Sequence, residues 1–508
     1  MPSQRRRGIV LGYVNIVVKN VVNLLYTPML LSFVGRGDYG VFQTANSFVF
    51  SLTLLSFGFS GAYVRYYMQR RAKGDEAGIR RLNGMYLLLY LGIDAIAITL
   101  GLLAATRVEA VFSGSFTPAE VGLASTLMTI MTFNIAAMLL STVFDAYIVS
   151  HEQFTYQQTR QTLTTLATPG LALALLGAGM GARGVAVAQL CVSLLLLALN
   201  AHFAVVRLGM RFDLRHHESS LLRGVATFSA WIFANQVCEL VNQNVPNVVL
   251  GAVCGASVVA TFAVSVQIRS VFYSLSTTIS SVFVPLVNRM VAETNDNAAL
   301  TRLMARVGRY QALLFFWVYG GFAVLGEWFI CTWANTSFSD SYLLVLAMAG
   351  PLFMPLTQNV GIEIQKAKNM HRARSEAYLC FALVNLAFTW ALAPSIGYWA
   401  PVIGYDVYVV LGCGLFMNWY YQSRVGLDMV YFWRKVMPVI AACAVATSVC
   451  MFGTRFVPVT GIVWFLLWGA AYTLLYGTLV WSIALAPDER LVLVSKLGKH
   501  GIGRKGNG

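Results

Sequence analysis

Apolar residues in this 508-residue chain gather into long runs separated by short polar gaps. A run of about 20 is what an α-helix needs to cross roughly 30 Å of hydrocarbon. Fourteen such runs can be read: Ile9 to Val34, Phe42 to Val64, Leu82 to Leu103, Val121 to Ile148, Thr162 to Leu176, Gly184 to Val206, Val225 to Leu250, Ser257 to Val287, Tyr310 to Leu325, Leu343 to Val360, Leu379 to Ala393, Pro401 to Tyr420, Met437 to Val457 and Gly461 to Ala486. The fifth and eleventh are short and the eighth is long for one crossing. The pattern predicts an all-α polytopic membrane protein with about 14 transmembrane helices. Composition agrees, with 57% hydrophobic and only 11% charged residues, against about 25% charged in soluble proteins. A mean hydropathy of +0.66 rules out both a soluble globular enzyme and a disordered chain.

A net charge of +15 can point to nucleic acid, an anionic membrane surface or an anionic substrate. Placement decides among them. When the gaps are assigned to alternate sides, 30 of the 36 basic residues fall on the side of the N-terminal Arg5, Arg6 and Arg7. The opposite side holds Arg36, Arg107, Arg183 and Arg455, while Lys19 and Arg269 lie inside runs. This asymmetry predicts cytoplasmic N- and C-termini and an even number of spans. The first run carries Lys19 and Asn23 and lacks a small-residue cleavage site, so it is expected to remain as a membrane helix. No basic-aromatic platform accompanies the dispersed charge, so nucleic acid is not expected as a partner.

The eight cysteines show no CxxC spacing and nearly all sit in apolar runs, and the six histidines lie in cytoplasmic gaps or at a span end without zinc-ligand spacing. Walker A, GxGxxG and GxSxG signatures are missing from the sequence. No polar gap is long enough for a catalytic domain. No enzyme, metal or cofactor is expected.

An ionisable group inside a span is expensive enough to suggest function. Lys19, Asp94, Glu239 and Arg269 qualify. Lys19 lies about ten residues into the first run, roughly 15 Å deep. With Asn15 and Asn23 it forms an i, i+4, i+8 stripe on one helix face. In the seventh run Asn235, Glu239 and Gln243, joined by Asn242, form another. The stripes share an offset of 220 residues, which also pairs Gly35 with Gly255 and Phe42 with Phe262. This suggests two like-oriented six-helix halves whose first helices face each other across a midplane cavity. Two readings of the charges stand: a buried Lys19–Glu239 ion pair, or Lys19 and Arg269 facing an anionic substrate with Glu239 balancing or gating. Asp94 is either a helix-pairing or an ion-coupling carboxylate. Arg65, near the cytoplasmic end of its span, is a candidate guard of the cytoplasmic mouth. Pro28 and Pro246 should kink the first and seventh helices just beyond their stripes.

The segments Leu25 to Gln43 (LYTPMLLSFVGRGDYGVFQ) and Leu54 to Tyr66 (LLSFGFSGAYVRY) resemble the opening of Wzx-type polysaccharide and oligosaccharide flippases. Phe228 to Phe233 (FSAWIF), Val282 to Glu293, Gly326 to Trp333 (GEWFICTW) and Ile364 to Ser375 continue the likeness in order, up to about Lys435. The resemblance implies the multidrug/oligosaccharidyl-lipid/polysaccharide (MOP) exporter fold: two pseudo-symmetric six-helix lobes in a V, as in MATE and MurJ proteins, plus two C-terminal helices. The expected division is an N-lobe at 1–206, a linker at 207–224, a C-lobe at 225–422, two further helices at 423–486 and a basic tail at 487–508. It implies a flippase of the bacterial cytoplasmic (inner) membrane that moves an isoprenoid-diphosphate-linked oligosaccharide outward by alternating access for cell-surface polysaccharide synthesis. Similar proteins use a cationic cavity for the diphosphate, a role that fits Lys19 and Arg269. Implied partners are the lipid-linked oligosaccharide, membrane lipids and glycan polymerase or assembly proteins, with coupling to a proton or sodium gradient left open. Relatives often carry an Asp-Lys pair where this chain reads Pro246-Asn247, so coupling through that position is not implied. The alternatives are a multidrug antiporter of the same fold, an intramembrane glycan polymerase or ligase, and a non-transporting envelope scaffold.

Overall fold

The computed structural model describes residues 2–56, 58–215, 233, 235–370 and 372–484, and the regular elements among them are all helical. The linker from 216 onward, the N-terminal part of the seventh run and the tail at 487–508 lie outside the described residues. The principal helices are α1 (Pro2–Val34), α2 (Arg36–Phe50), α3 (Phe59–Ala72), α4 (Glu76–Thr106), α5 (Val108–Phe112), α6 (Pro118–Ser150), α7 (Phe154–Gly177), α8 (Gly181–His202), α9 (Val245–Cys254), α10 (Ala256–Ser281), α11 (Val284–Glu293), α12 (Asn297–Trp333), α13 (Ser341–Thr357), α14 (Asn359–Ala367), α15 (Arg372–Ile396), α16 (Trp399–Val407), α17 (Met429–Phe456) and α18 (Ile462–Leu479).

Ten of these helical stretches are long and apolar enough to cross a membrane, or eleven if α13 and α14, bent by 42° at their junction, form one span. Pro351 and Pro355 near the end of α13 remove backbone donors just before that bend. Among the described residues, fewer than the expected fourteen meet the test of length and apolarity. α1 contributes a shorter apolar helix, Val18–Val34, among the described residues. α7 is helical from Phe154, eight residues before the expected start, and those extra residues are polar. The seventh run is only partly described. The long eighth run is α10 followed by α11, which explains its excess length.

Short polar turns set the helix ends. Thr117 and Glu120 form a reciprocal capping box around Pro118 at the start of α6. Asp75, Asp296 and Asp428 each accept a backbone N–H in the first turn of α4, α12 and α17. Pro28 lies within the continuous helix α1. In the seventh span the helical run 235–243 gives way to a turn at Asn244 and resumes with Pro246 in the first turn of α9. The break comes where proline is best tolerated.

Contacts group the chain into two compact units, Met1–Val264 with Tyr378–Tyr405, and Ser265–Ala377 with Asp406–Gly508. In the first, α6 is the hub, packing on α2, α3, α4 and α8, while α7 packs on α1 and α8. Gly101 of α4 meets Thr132 of α6 so closely that a methyl there would clash. In the second, α12 packs on α13, α17 and α18, and Tyr472 and Tyr476 of α18 donate to the Phe316 and Leu313 carbonyls of α12, both at 2.9 Å. Large apolar side chains such as Phe456 (72% exposed) and Leu474 (70%) face outward. A surface of this kind is stable against lipid tails, and small residues and hydrogen bonds hold the helices together.

Candidate functional site

The polar stripe of α1 divides its work. Asn15, 4% exposed, donates through Nδ2 to the Gln158 carbonyl (2.9 Å) and Oε1 (2.8 Å) of α7, and its Oδ1 accepts from Thr162 Oγ1. It therefore ties α1 to α7. One turn on, Lys19 is exposed and has no hydrogen-bond or ion-pair partner among the described residues. Asn23 is exposed as well, and its carbonyl accepts from Thr27 Oγ1 at 2.9 Å.

The second stripe divides in the same way. Asn235, Glu239 and Gln243 are exposed, with Gln243 Nε2 donating to Glu239 Oε1 at 3.3 Å. Asn242 turns inward: it is 7% exposed, its Nδ2 donates to the Cys238 carbonyl (2.9 Å), and its Oδ1 accepts from Asn385 Nδ2 of α15 (2.7 Å). Thr389 Oγ1 completes the group by donating to Asn385 Oδ1 at 3.3 Å. Lys19 and Glu239 do not form an ion pair. Asn242→Leu strands the buried Asn385 amide and should cost about 1–3 kcal/mol, read as a lowered thermal unfolding temperature of the purified protein. Asn385→Leu added to it should recover part of that loss.

On the face opposite the basic gaps, α2 meets α9 and the start of α10 in a close seam. A methyl added to Gly40 would fall on the Ala256 carbonyl, and one at Gly251 would press on Thr44. Arg36 donates to the Ser257 carbonyl (3.2 Å) and to Thr261 Oγ1 (2.7 Å). Asn247 Nδ2 donates to Ser47 Oγ (2.9 Å), and Ser115 Oγ to the Gly251 carbonyl (2.6 Å). Gly35 leads into α2 at φ 81°, ψ 168°, and Gly255 leads into α10 at φ 90°, ψ 169°. Only glycine adopts that corner readily. The 220-residue offset read in the sequence thus recurs as one backbone conformation, and Phe42 and Phe262 at the same offset are both buried.

Asp94, in the middle of α4, is 7% exposed, and its Oδ1 has no hydrogen-bond partner. Tyr90, one turn away, has an equally unpartnered hydroxyl. From Tyr90 a column of aromatic rings runs toward the basic side: Tyr86, Tyr63, Tyr67 and Tyr147, ending at His151 beyond α6, with successive centroids 4.3–6.4 Å apart. Tyr67 Oη lies 3.1 Å from His151 Nε2. Burial lowers the His151 pKa below its ordinary value, and nearby Arg71 adds to this. Arg65 is exposed on α3.

Arg269 belongs to the second unit and is 5% exposed, with Nη1 directed at Met348 Sδ (3.6 Å). Asp406 of α16 is within electrostatic reach of it. The guanidinium is therefore enclosed and has a carboxylate nearby, unlike the exposed Lys19. Sequence reasoning passed over Asp406 and Asn385, although each is a polar residue inside an apolar run, the signal that picked out Asp94.

A family model described as polysaccharide biosynthesis protein matches residues 29–343. No curated protein matches in sequence. Among solved structures, the chain is similar to a lipid II flippase MurJ in an inward closed conformation, with a TM-score of 0.72 and 12% identity over 93% of this chain and 98% of that one. It is similar to an inward-facing multidrug resistance MATE family transporter of the MOP superfamily, with a TM-score of 0.59 and 13% identity over 82% and 98% of the two chains. The Vibrio cholerae MATE transporter VcmN in the bent form gives a TM-score of 0.52 and 14% identity over 84% and 97%. The fold is thus the all-helical one shared by MurJ and MATE proteins, in a multi-pass membrane protein.

Proposed function

The chain belongs to the polysaccharide biosynthesis protein family, and from that membership we propose that it is a flippase carrying an isoprenoid-diphosphate-linked oligosaccharide from the cytoplasmic to the outer leaflet of a bacterial inner membrane, with both termini cytoplasmic. The observation that carries this reading is Lys19: a cation inside a span, exposed, without a counter-charge among the described residues, and set in a polar stripe. A mid-membrane ammonium costs several kcal/mol, and an anionic diphosphate offsets that cost whenever it binds. Asn23, one turn along the same helix, supplies a neighbouring hydrogen-bonding group, Asn235, Glu239 and Gln243 form a second exposed polar stripe, and Arg65 adds positive charge toward the cytoplasmic end. Arg269, enclosed beside Asp406, serves the second unit's packing and is not assigned a substrate contact. A multidrug antiporter of the same fold moves cations, for which Lys19 would be a repulsive element. A scaffold would not need it at all. Removing the gene should leave a lipid-linked oligosaccharide accumulating in the cytoplasmic leaflet; an unchanged pool of lipid-linked sugars would overturn the proposal.

For coupling, Asp94 is better placed than Glu239, because it is enclosed and its Oδ1 has no hydrogen-bond partner, while Glu239 is exposed and bonded to Gln243. Asp94→Asn keeps shape and removes the exchangeable charge. Transport driven by an imposed pH gradient in vesicles should drop at least about ten-fold, while exchange without a gradient continues. Equal loss of both would assign Asp94 to helix packing.

A further inference from the structure

α7 is of membrane length, yet from Thr155 to Thr165 it is almost wholly polar. One polar face meets α1 through Gln158 and Thr162. The other opens on a cavity of about 450 Å³ walled by α6, α7 and α8. Within it, Arg160 Nη1 donates to Asp145 Oδ1 (2.6 Å) and Asn200 Oδ1 (2.9 Å), and Asn200 Nδ2 donates to Ser141 Oγ (2.9 Å). Three helices are thus cross-linked around one ion pair, whose side chains remain 18% and 33% exposed. Gln157 and Gln161, also in the lining, stand one turn apart on α7, and neither side-chain amide has a hydrogen-bond partner among the described residues. Thr142, Thr164 and Ser193 add hydroxyls.

The charge balance limits the occupant. Asp145 and Arg160 neutralise each other, so a net anion or cation gains no Coulombic attraction here. What the lining offers is planar amide, carboxylate and guanidinium edges beside hydroxyls. These groups pair in donor–acceptor fashion with adjacent hydroxyls of an uncharged polyol. An apolar occupant would strand them. Arg160 lies six residues into α7, roughly 9 Å from its start. We propose that this wedge is a saccharide-binding subsite that takes a sugar of the transported glycan by neutral hydrogen bonding, separately from the charge at Lys19. This rests on the flippase reading above.

The test places p-benzoylphenylalanine at Gln161, and in a parallel strain at Asn23, exposed one turn from Lys19, in the full-length protein in native membranes. After irradiation the adducts are identified by mass and by glycosidase digestion. The expected result is a glycan adduct at 161 whose yield falls about three- to ten-fold in a Gln157→Leu background. Glycan captured at 23 but not at 161 would overturn the subsite and leave the flippase reading standing. Capture at neither position would overturn both. A phosphatidylglycerol adduct at 161 would show that the polyol recognised is a lipid head group and overturn the sugar assignment.

Discussion

Oxidation of the double variant Ser47→Cys, Asn247→Cys is expected to stop export, with a loss of more than about ten-fold that a reductant reverses in the same membranes. Ser47 Oγ and Asn247 Nδ2 are 2.9 Å apart across the seam between α2 and α9, so the two side chains touch, and a disulfide forms there once the Cβ atoms approach to about 3.5–4.5 Å. The seam lies on the side with few basic residues, and if the proposed flippase works by alternating access, that side must open for release. A covalent bridge there removes the open state outright, whereas loss of one hydrogen bond would cost only about 1 kcal/mol. Accordingly each single cysteine variant should transport nearly as well as the parent. Full transport by the cross-linked protein would show that the seam never opens. Gly40→Leu gives an independent check from the opposite direction, because its side chain must displace the Ala256 carbonyl. It should hold the seam apart and make Ser47→Cys more reactive toward impermeant thiol reagents.

Lys19→Glu should abolish export while the protein inserts and accumulates normally. Lys19 has no counter-charge among the described residues, so reversing it breaks no ion pair there and places an anion where the diphosphate is proposed to sit. At an effective dielectric near 20, two unit charges about 4 Å apart change from attraction to repulsion by roughly 8 kcal/mol before solvent relaxation, ample for complete loss. Adding Glu239→Lys should not restore transport, since the two side chains form no ion pair for a swap to rebuild. Wild-type surface glycan in the single variant, or recovery in the double, would remove Lys19 from substrate binding.

Much of the architecture was legible because lipid imposes a simple rule on sequence. Runs of Leu, Val, Phe and Ala mark the spans, and the 220-residue offset found from Asn15, Lys19 and Asn23 reappears in the matched corners at Gly35 and Gly255. Periodicity could identify a polar face without saying what the face meets. Asn15 and Lys19 lie one turn apart, yet one is consumed by α7 and the other is accessible, a difference set by packing partners more than 140 residues away. Arg269 illustrates the same limit: its depth was readable, while its enclosure beside Asp406 depends on where α16 returns. The seam escaped notice because Ser47, Gly40 and Gly251 are ordinary small residues until two distant helices are pressed together.

The ion pair between Asp145 and Arg160 also bears on how the chain enters the membrane as it is made. A segment as polar as the first half of α7 would partition poorly alone, and Asp145 and Arg160, each near a helix end, add a charge cost below the mid-helix figure of about 2.5–3.5 kcal/mol each. α6 ends at Ser150 and α7 begins at Phe154, so the two emerge from the ribosome almost together. Their charges can meet before either is committed to lipid. The hairpin is then the unit of insertion, and Asp145→Ala should leave α7 stranded outside the bilayer in a glycosylation-mapping assay, even though nothing in α7 itself has changed.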